Sequence, residues 1–311
     1  MKNFFAPSPS SVFTSRGDSL DPRLGDFRVT DWQSSDFLLW GYPDDEGIRL
    51  GGGRPGAEAA PQGIREIFYK MTPPLTETSK WRLFDGGDLK KDLPLADRHE
   101  VARKFAAQQT KSNKKWLTLG GGHDYGYSDG AGFLESQLES NQRPVILNFD
   151  AHLDVRPLDR GLTSGTPFFR ILQEFKGQFD FVEIGIQQQC NARAHLDFVR
   201  SQGCQVLFLE TLRLQGFLPS LKAALLPFAG RPTFLSVDID AFANSEAPGC
   251  SQSWPGGLTS LEFFAGLKWM QSHLKIQALG LYEVSPPLDV GLQTQRLAAL
   301  IMFEFLRGAR Q

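Results

Sequence analysis

Seven apolar runs of strand length, at 37–40, 116–119, 145–149, 181–186, 206–209, 233–237 and 278–282, constrain the fold of this chain more than any other feature. Amphipathic stretches near 59–70, 96–110, 167–175, 192–202, 213–226, 259–273 and 291–307 fill the gaps between them. Near-continuous apolar strands alternating with helices are what a parallel sheet covered on both faces requires. The expected fold is therefore α/β, a three-layer α/β/α sandwich around a central, mostly parallel sheet. Residues 1–30 and 71–95 are richer in Pro, Gly, Ser and charge, so they read as an N-terminal arm and a surface loop. No linker-like run divides the 311 residues, which favours one domain spanning 1–311.

Acids and histidines stand at the ends of three of these runs: His123, then Asp150-Ala151-His152-Leu153-Asp154, then Asp238-Ile239-Asp240. Open parallel sheets bind ligands at the carboxyl ends of their strands. In extended chain, residues two apart face the same way, so Asp150, His152 and Asp154 are expected on one side of a strand end, and Asp238 with Asp240 on another. A lone Asp-x-Asp also caps helices and solvates loops. Two anions and an imidazole on one face are a different matter, because they repel and lose solvation unless a cation neutralises them. Carboxylate and imidazole donors without thiolate point to divalent metal, and their number points to two ions. His99, His195 and His273 lie in expected helices and read as surface or packing residues.

The 33 basic and 35 acidic residues are well mixed, so nothing marks a nucleic-acid or membrane partner, and small-molecule chemistry is favoured. Cys190, Cys204 and Cys250 are odd in number and widely spaced, which argues against a disulfide framework or a zinc ribbon and fits a reducing, cytoplasmic setting. The first residues lack the sustained apolar core of a secretory signal, and no stretch is long enough to span a bilayer.

Gly121-Gly122-His123, Asp150-Ala151-His152-Leu153-Asp154 and Ser236-Val237-Asp238-Ile239-Asp240 resemble the three motifs of the ureohydrolase family of arginase, agmatinase and formimidoylglutamase. Pro248-Gly249, Pro255-Gly256-Gly257-Leu258 and Tyr282-Glu283-Val284-Ser285-Pro286 match further family segments. The resemblance implies an arginase-like fold and two Mn2+ per chain, although other divalent metals suit the same donors. His123, Asp150, Asp154 and Asp238 would hold one ion, and Asp150, His152, Asp238 and Asp240 the other. It further implies hydrolysis of the C–N bond of a guanidine or amidine, with Glu283 pairing the cationic nitrogens and Asp240 relaying a proton to the leaving amine. A homo-oligomer, trimer or hexamer, is also implied.

Within the family, Asp44-Asp45-Glu46-Gly47-Ile48-Arg49, Gly52-Gly53-Arg54-Pro55-Gly56-Ala57 and Ser164-Gly165-Thr166-Pro167-Phe168 resemble formimidoylglutamases. Ser164 and Phe168 stand where arginases and agmatinases supply a histidine. The expected substrate is N-formimidoyl-L-glutamate, converted with water to L-glutamate and formamide in histidine breakdown. Its two carboxylates call for arginines at the cleft mouth. Arg54 and Arg156 are the candidates, with Arg193 behind them and Thr166 in the same loop region. Agmatine or a guanidino acid, releasing urea, is the alternative substrate, and a non-catalytic binding relative is the alternative class. Ala243-Asn244 replaces the family's Asp-Pro after the third motif, a change beside the ligands.

Overall fold

The computed structural model describes residues 4–75, 81–112, 114–139 and 142–308. Among the described residues ten strands form one sheet: β1 (Phe5–Ala6), β2 (Arg28–Val29), β3 (Phe37–Gly41), β4 (Leu83–Leu89), β5 (Lys115–Leu119), β6 (Val145–Phe149), β7 (Asp180–Ile186), β8 (Gln205–Phe208), β9 (Pro232–Asp238) and β10 (Lys275–Tyr282). Their order is β1-β4-β3-β5-β10-β9-β6-β7-β8, with β2 also paired to β4. Every pairing is parallel except that of β1 with β4. The α-helices of the described residues are α1 (Glu46–Leu50), α2 (Ala60–Phe68), α3 (Leu95–Lys111), α4 (Tyr125–Leu138), α5 (Pro167–Glu174), α6 (Arg193–Ser201), α7 (Leu209–Leu214), α8 (Phe217–Leu225), α9 (Ser260–His273) and α10 (Gln293–Gly308).

Period-two alternation divides the strand residues between two cores. Leu117, Leu147, Val182 and Leu235 pack with α2 and α7–α10 on one face, while Trp116, Ile146, Phe181 and Phe234 pack with α3–α6 on the other. The α/β/α sandwich with a mostly parallel sheet is thus the observed architecture.

Three elements differ from the sequence reading. Part of 71–95 is a seven-residue strand, β4, whose Asp-Gly-Gly-Asp centre hides it from any apolar pattern. The 1–30 segment is no free arm: Phe5, Val12, Phe13 and Leu24 are buried, and β1 and β2 both pair with β4. Helix α4 escaped the pattern because glycines replace its apolar stripe, at about 1 kcal/mol each relative to alanine. Close packing requires them. A Cβ on Gly132 would sit 2.3 Å from the Arg103 carbonyl of α3, and one on Gly126 would sit 2.9 Å from His123 Cδ2. The glycines let α4 lie directly beneath the first histidine of the site.

Candidate metal centre

Turns, not extended chain, bring the acids and histidines together. β6 ends at Phe149, and beyond Asp150 the backbone bends until Asp154 adopts a left-handed φ of 45°. Asn191 holds this turn: its Nδ2 donates to the carbonyls of Ala151 (2.9 Å) and Gln187 (2.8 Å), and its Oδ1 accepts from Leu153 N (2.8 Å). No motif pointed to Asn191. After β9, Asp238 caps a 3-10 turn over Ile239–Ala241, with Oδ1 accepting from Asp240 N at 2.8 Å. The expectation of a shared strand face is therefore replaced by two hydrogen-bonded turns, each holding its aspartates in one orientation.

His123 follows a glycine turn that passes under Asp44, so closely that a Cβ on Gly121 would lie 1.7 Å from the Asp44 carbonyl oxygen. Its ring stacks on Tyr282 at 4.8 Å and meets Phe168 edge-on at 5.4 Å, and Nε2 lies 2.9 Å from Ser236 Oγ. These contacts aim Nδ1 at three oxygens, Asp150 Oδ2, Asp154 Oδ2 and Asp238 Oδ2, each 3.1 Å away. A second group forms beside it, with His152 Nδ1 3.0 Å from Asp240 Oδ2 and 3.5 Å from Asp150 Oδ1. The structure thus offers two candidate cation groups, His123-Asp150-Asp154-Asp238 and Asp150-His152-Asp240, which share Asp150. Asp238 joins the first group, and its Oδ1 accepts the Asp240 amide just as Asp150 Oδ1 accepts that of His152.

The electrostatics fit a cation. Burial and repulsion from Asp240 and Asp150 push Asp238 well above the usual carboxylate range, and burial lifts Asp240 to about 6 against the pull of His152. Burial disfavours the imidazolium of His123, yet the close approach of the three carboxylate oxygens outweighs it and raises that ring well above its ordinary value. His123 Nδ1 is buried with no hydrogen-bond partner of good geometry. Without a cation the cluster must hold protons to coexist; an ion among these oxygens and nitrogens relieves the repulsion and gives Nδ1 a partner.

The groups lie at the foot of a cleft of about 260 Å³ lined by His152, Asp154, Asp238, Asp240 and Glu283 below and by Arg156, Ser164, Gln189 and Trp254 around them. Glu283 has a left-handed φ of 65° and accepts His123 N–H on Oε1 at 2.9 Å. A strained non-glycine backbone at such a place is a mark of function. Gly51, Gly52, Gly53 and Gly165 line it too, and of the remaining lining residues no sequence motif singled out Gln189, Cys190, Ser251, Gln252 or Trp254.

The arginine candidates separate. Arg156 lines the cleft, and its guanidinium makes no ion pair among the described residues. Arg54 is instead a staple, donating to the carbonyls of Ser251 (3.0 Å) and Cys250 (2.9 Å). Arg193 is paired with Asp197 at 2.9 Å on an exposed helix surface. Thr166 is buried at the start of α5, its hydroxyl donating to Thr163 O at 2.7 Å. Among the remaining histidines, His99 is buried against Asp124 at 2.7 Å, His273 stacks on Trp269, and His195 is half-buried; none joins either cation group. Asn244 donates to Ser253 Oγ (2.9 Å) and, through its backbone, to Trp254 O (2.8 Å), so the Ala243-Asn244 departure ties down the cleft wall.

A family model for the arginase family matches residues 35–307. A formimidoylglutamase of Geobacillus thermodenitrificans is 33% identical over 274 residues, covering 87% of this chain and 84% of that protein. Among solved structures, a Trypanosoma cruzi formiminoglutamase with two Mn2+ superposes with a TM-score of 0.84 at 27% identity, covering 93% of this chain and 98% of that one. A Bacillus subtilis formimidoylglutamase also superposes at 0.84, with 25% identity and coverage of 95% and 94%.

Proposed function

The chain belongs to the arginase family, and from that premise we propose that it hydrolyses N-formimidoyl-L-glutamate to L-glutamate and formamide, a step of histidine breakdown. The observation that carries this reading is the pair of cation groups sharing Asp150 at the foot of a cleft that also presents Glu283 and Arg156. His123, Asp150, Asp154 and Asp238 would hold one Mn2+, and Asp150, His152, Asp238 and Asp240 the other. When bound, the two ions supply Lewis acidity and a water made nucleophilic near neutral pH.

The remaining steps belong to the chain's own groups. Glu283, anchored through Oε1 by the His123 amide, lines the cleft and pairs with the amidinium N–H groups. That pairing fixes the plane of the carbon to be attacked and removes most of the orientational cost. The bond that breaks joins this carbon to the glutamate nitrogen, which must leave as an amine and so needs a proton. Asp240, with Oδ2 beside His152 Nδ1, is placed to carry it. Arg156 takes a carboxylate of the substrate at the mouth, with Ser164 and Gln189 as neutral donors beside it. Arg54 and Thr166 serve by holding the loops, and Arg193 lies outside the cleft lining.

Purified, Mn2+-loaded protein given N-formimidoyl-L-glutamate should release glutamate and formamide in equal amounts. Urea release from agmatine or a guanidino acid, with no turnover of the formimidoyl substrate, would overturn the assignment. We further place the protein in the cytoplasm, where free Cys190, Cys204 and Cys250 stay reduced, as one ureohydrolase domain assembled into a homo-oligomer. Among the described residues no helix is long and apolar enough to cross a membrane.

A further inference from the structure

The sheet face that carries α3–α6 holds a row of polar residues one layer beneath the ligands. Thr118 on β5, Gly280 on β10, Ser236 on β9, Asn148 on β6 and Glu183 on β7 lie in register across five neighbouring strands. Thr118, Ser236, Asn148 and Glu183 are at most 1% exposed. Central parallel strands are ordinarily apolar on both faces, and each buried polar group costs stability unless it is partnered.

Two of these residues have evident tasks. Thr118 donates to Asp129 at 2.5 Å, and Ser236 orients His123. Asn148 and Glu183 make the less obvious pair. Asn148 Nδ2 donates both to Asp150 Oδ2 (3.2 Å) and to Glu183 Oε2 (2.9 Å). Glu183 forms no ion pair among the described residues, and its Oε1 and Asn148 Oδ1 are buried without hydrogen-bond partners. A desolvated carboxyl with nothing to neutralise it needs a reason to be there.

Asp150 supplies the reason. It belongs to both candidate cation groups, with Oδ2 facing His123 and Oδ1 facing His152. The last torsion of an aspartate is soft and broad, and only hydrogen bonds to its two oxygens set it. Oδ1 accepts His152 N–H at 2.7 Å; on Oδ2 the protein's hydrogen-bond donor is Asn148. The Asn148 carboxamide could itself rotate, but its neighbour in register on β7 holds the amino end by accepting from it. Both residues sit on rigid strands, which position a site more accurately than loops do.

We propose that Asn148 and Glu183 are positioning residues for the shared carboxylate: Glu183 fixes the Asn148 carboxamide, and Asn148 fixes the rotation of Asp150 that lets one oxygen serve each cation. The inference rests on the two-cation reading of the site and deepens it. It predicts that the pair controls whether two ions bind as a bridged unit, independently of substrate.

The test uses full-length protein titrated with Mn2+, followed by calorimetry and EPR. The parent should bind two Mn2+ and show the exchange-coupled spectrum of a carboxylate-bridged pair. Asn148→Ala and Glu183→Leu should each weaken one of the two binding events by about 10–100-fold and erase the coupled spectrum. Glu183→Gln, which keeps an acceptor for Asn148 Nδ2, should restore the coupling. Should Glu183→Leu fail to fold when melted without metal, Asn148→Ser carries the same expectation with less disturbance. Variants that take up two Mn2+ with the parent's affinities and the parent's coupled spectrum would overturn the role of the pair. A parent that binds fewer than two ions would instead overturn the two-cation reading beneath it.

Discussion

Asp85 and Asp88 in β4 share one buried arginine, whereas the four aspartates at the ends of β6 and β9 have only two histidines against them among the described residues. Arg65 is fully buried and donates to Asp88 Oδ1 (2.6 Å), Asp85 Oδ1 (3.0 Å) and Gly87 O (3.2 Å), with Tyr69 and Ser8 also donating to Asp85. Burial there is outweighed by Arg65, and Asp85 is held below the ordinary carboxylate range. Asp88, at the other end of the same guanidinium, is still raised by its burial; at the strand ends burial and mutual repulsion push up Asp154, Asp238 and Asp240, and Asp150 is held down, against its burial, by His123 and His152. Paired aspartates are therefore not evidence of a metal in themselves. What separates the two clusters is whether the chain supplies its own cation.

The largest effect expected from this contrast is at the shared ligand. Asp150→Asn should lower kcat/KM by on the order of 10³-fold or more, because both ions lose a charged donor at once, and metal analysis should find fewer than two Mn2+ per chain. Retention of activity within tenfold would break the comparison. In the self-neutralised cluster, Asp85→Asn leaves the Arg65 charge poorly compensated in the interior and should cost about 3–5 kcal/mol of stability in a denaturant titration. The stability contributed by Asp85 is present above the usual carboxylate range and is lost as the pH falls below it, so this cost should shrink in acid.

The metal cluster should behave with the opposite sign. Asp240 titrates at about 6 when folded and near 3.8 when unfolded, so its favourable contribution is present below about pH 4 and lost as the pH rises through about 6. In metal-free protein above about pH 7, Asp240→Asn should therefore raise stability by about 1–3 kcal/mol, a gain that fades on acidification. Thermal melting across that range with a chelator present checks it; a loss of stability at neutral pH would mean that the aspartates are compensated without metal. The smallest effect concerns Arg156, whose guanidinium makes no ion pair among the described residues. Arg156→Ala should raise KM for the formimidoyl substrate about tenfold, roughly 1.4 kcal/mol, with kcat nearly unchanged. An unaltered KM would remove Arg156 from substrate recognition.

Much of the fold was legible because seven of the ten strands are apolar runs read at their register positions, and because helices in contact with a sheet show their apolar faces. β4 and α4 were not legible, and for related reasons. In β4 the half-buried Asp85 and Asp88 interrupt the apolar pattern, and their charge is met by Arg65, which arrives from α2, distant in sequence. In α4, glycines replace large apolar residues because α3 lies too close for a side chain. Both patterns depend on a neighbour that only folding brings near. The six acids and histidines were legible as a set, since their types and strand-end positions make sense together. Asn191, Asn148 and Glu183 were not, since an amide or a single carboxyl within a strand or turn carries no pattern of its own.

By itself the sequence determined the parallel α/β architecture, the residues available as cation donors and the family to which they belong, because apolar periodicity and residue chemistry are local properties of the chain. The tertiary structure alone decided how those donors are arranged: Asp150 with one oxygen toward each histidine, Asp238 with one oxygen toward His123 and the other on the Asp240 amide, and Arg156 in the cleft while Arg54 and Arg193 are engaged elsewhere. Those outcomes turn on hydrogen bonds and approaches of a few ångströms between segments remote in sequence, and no local pattern encodes such distances.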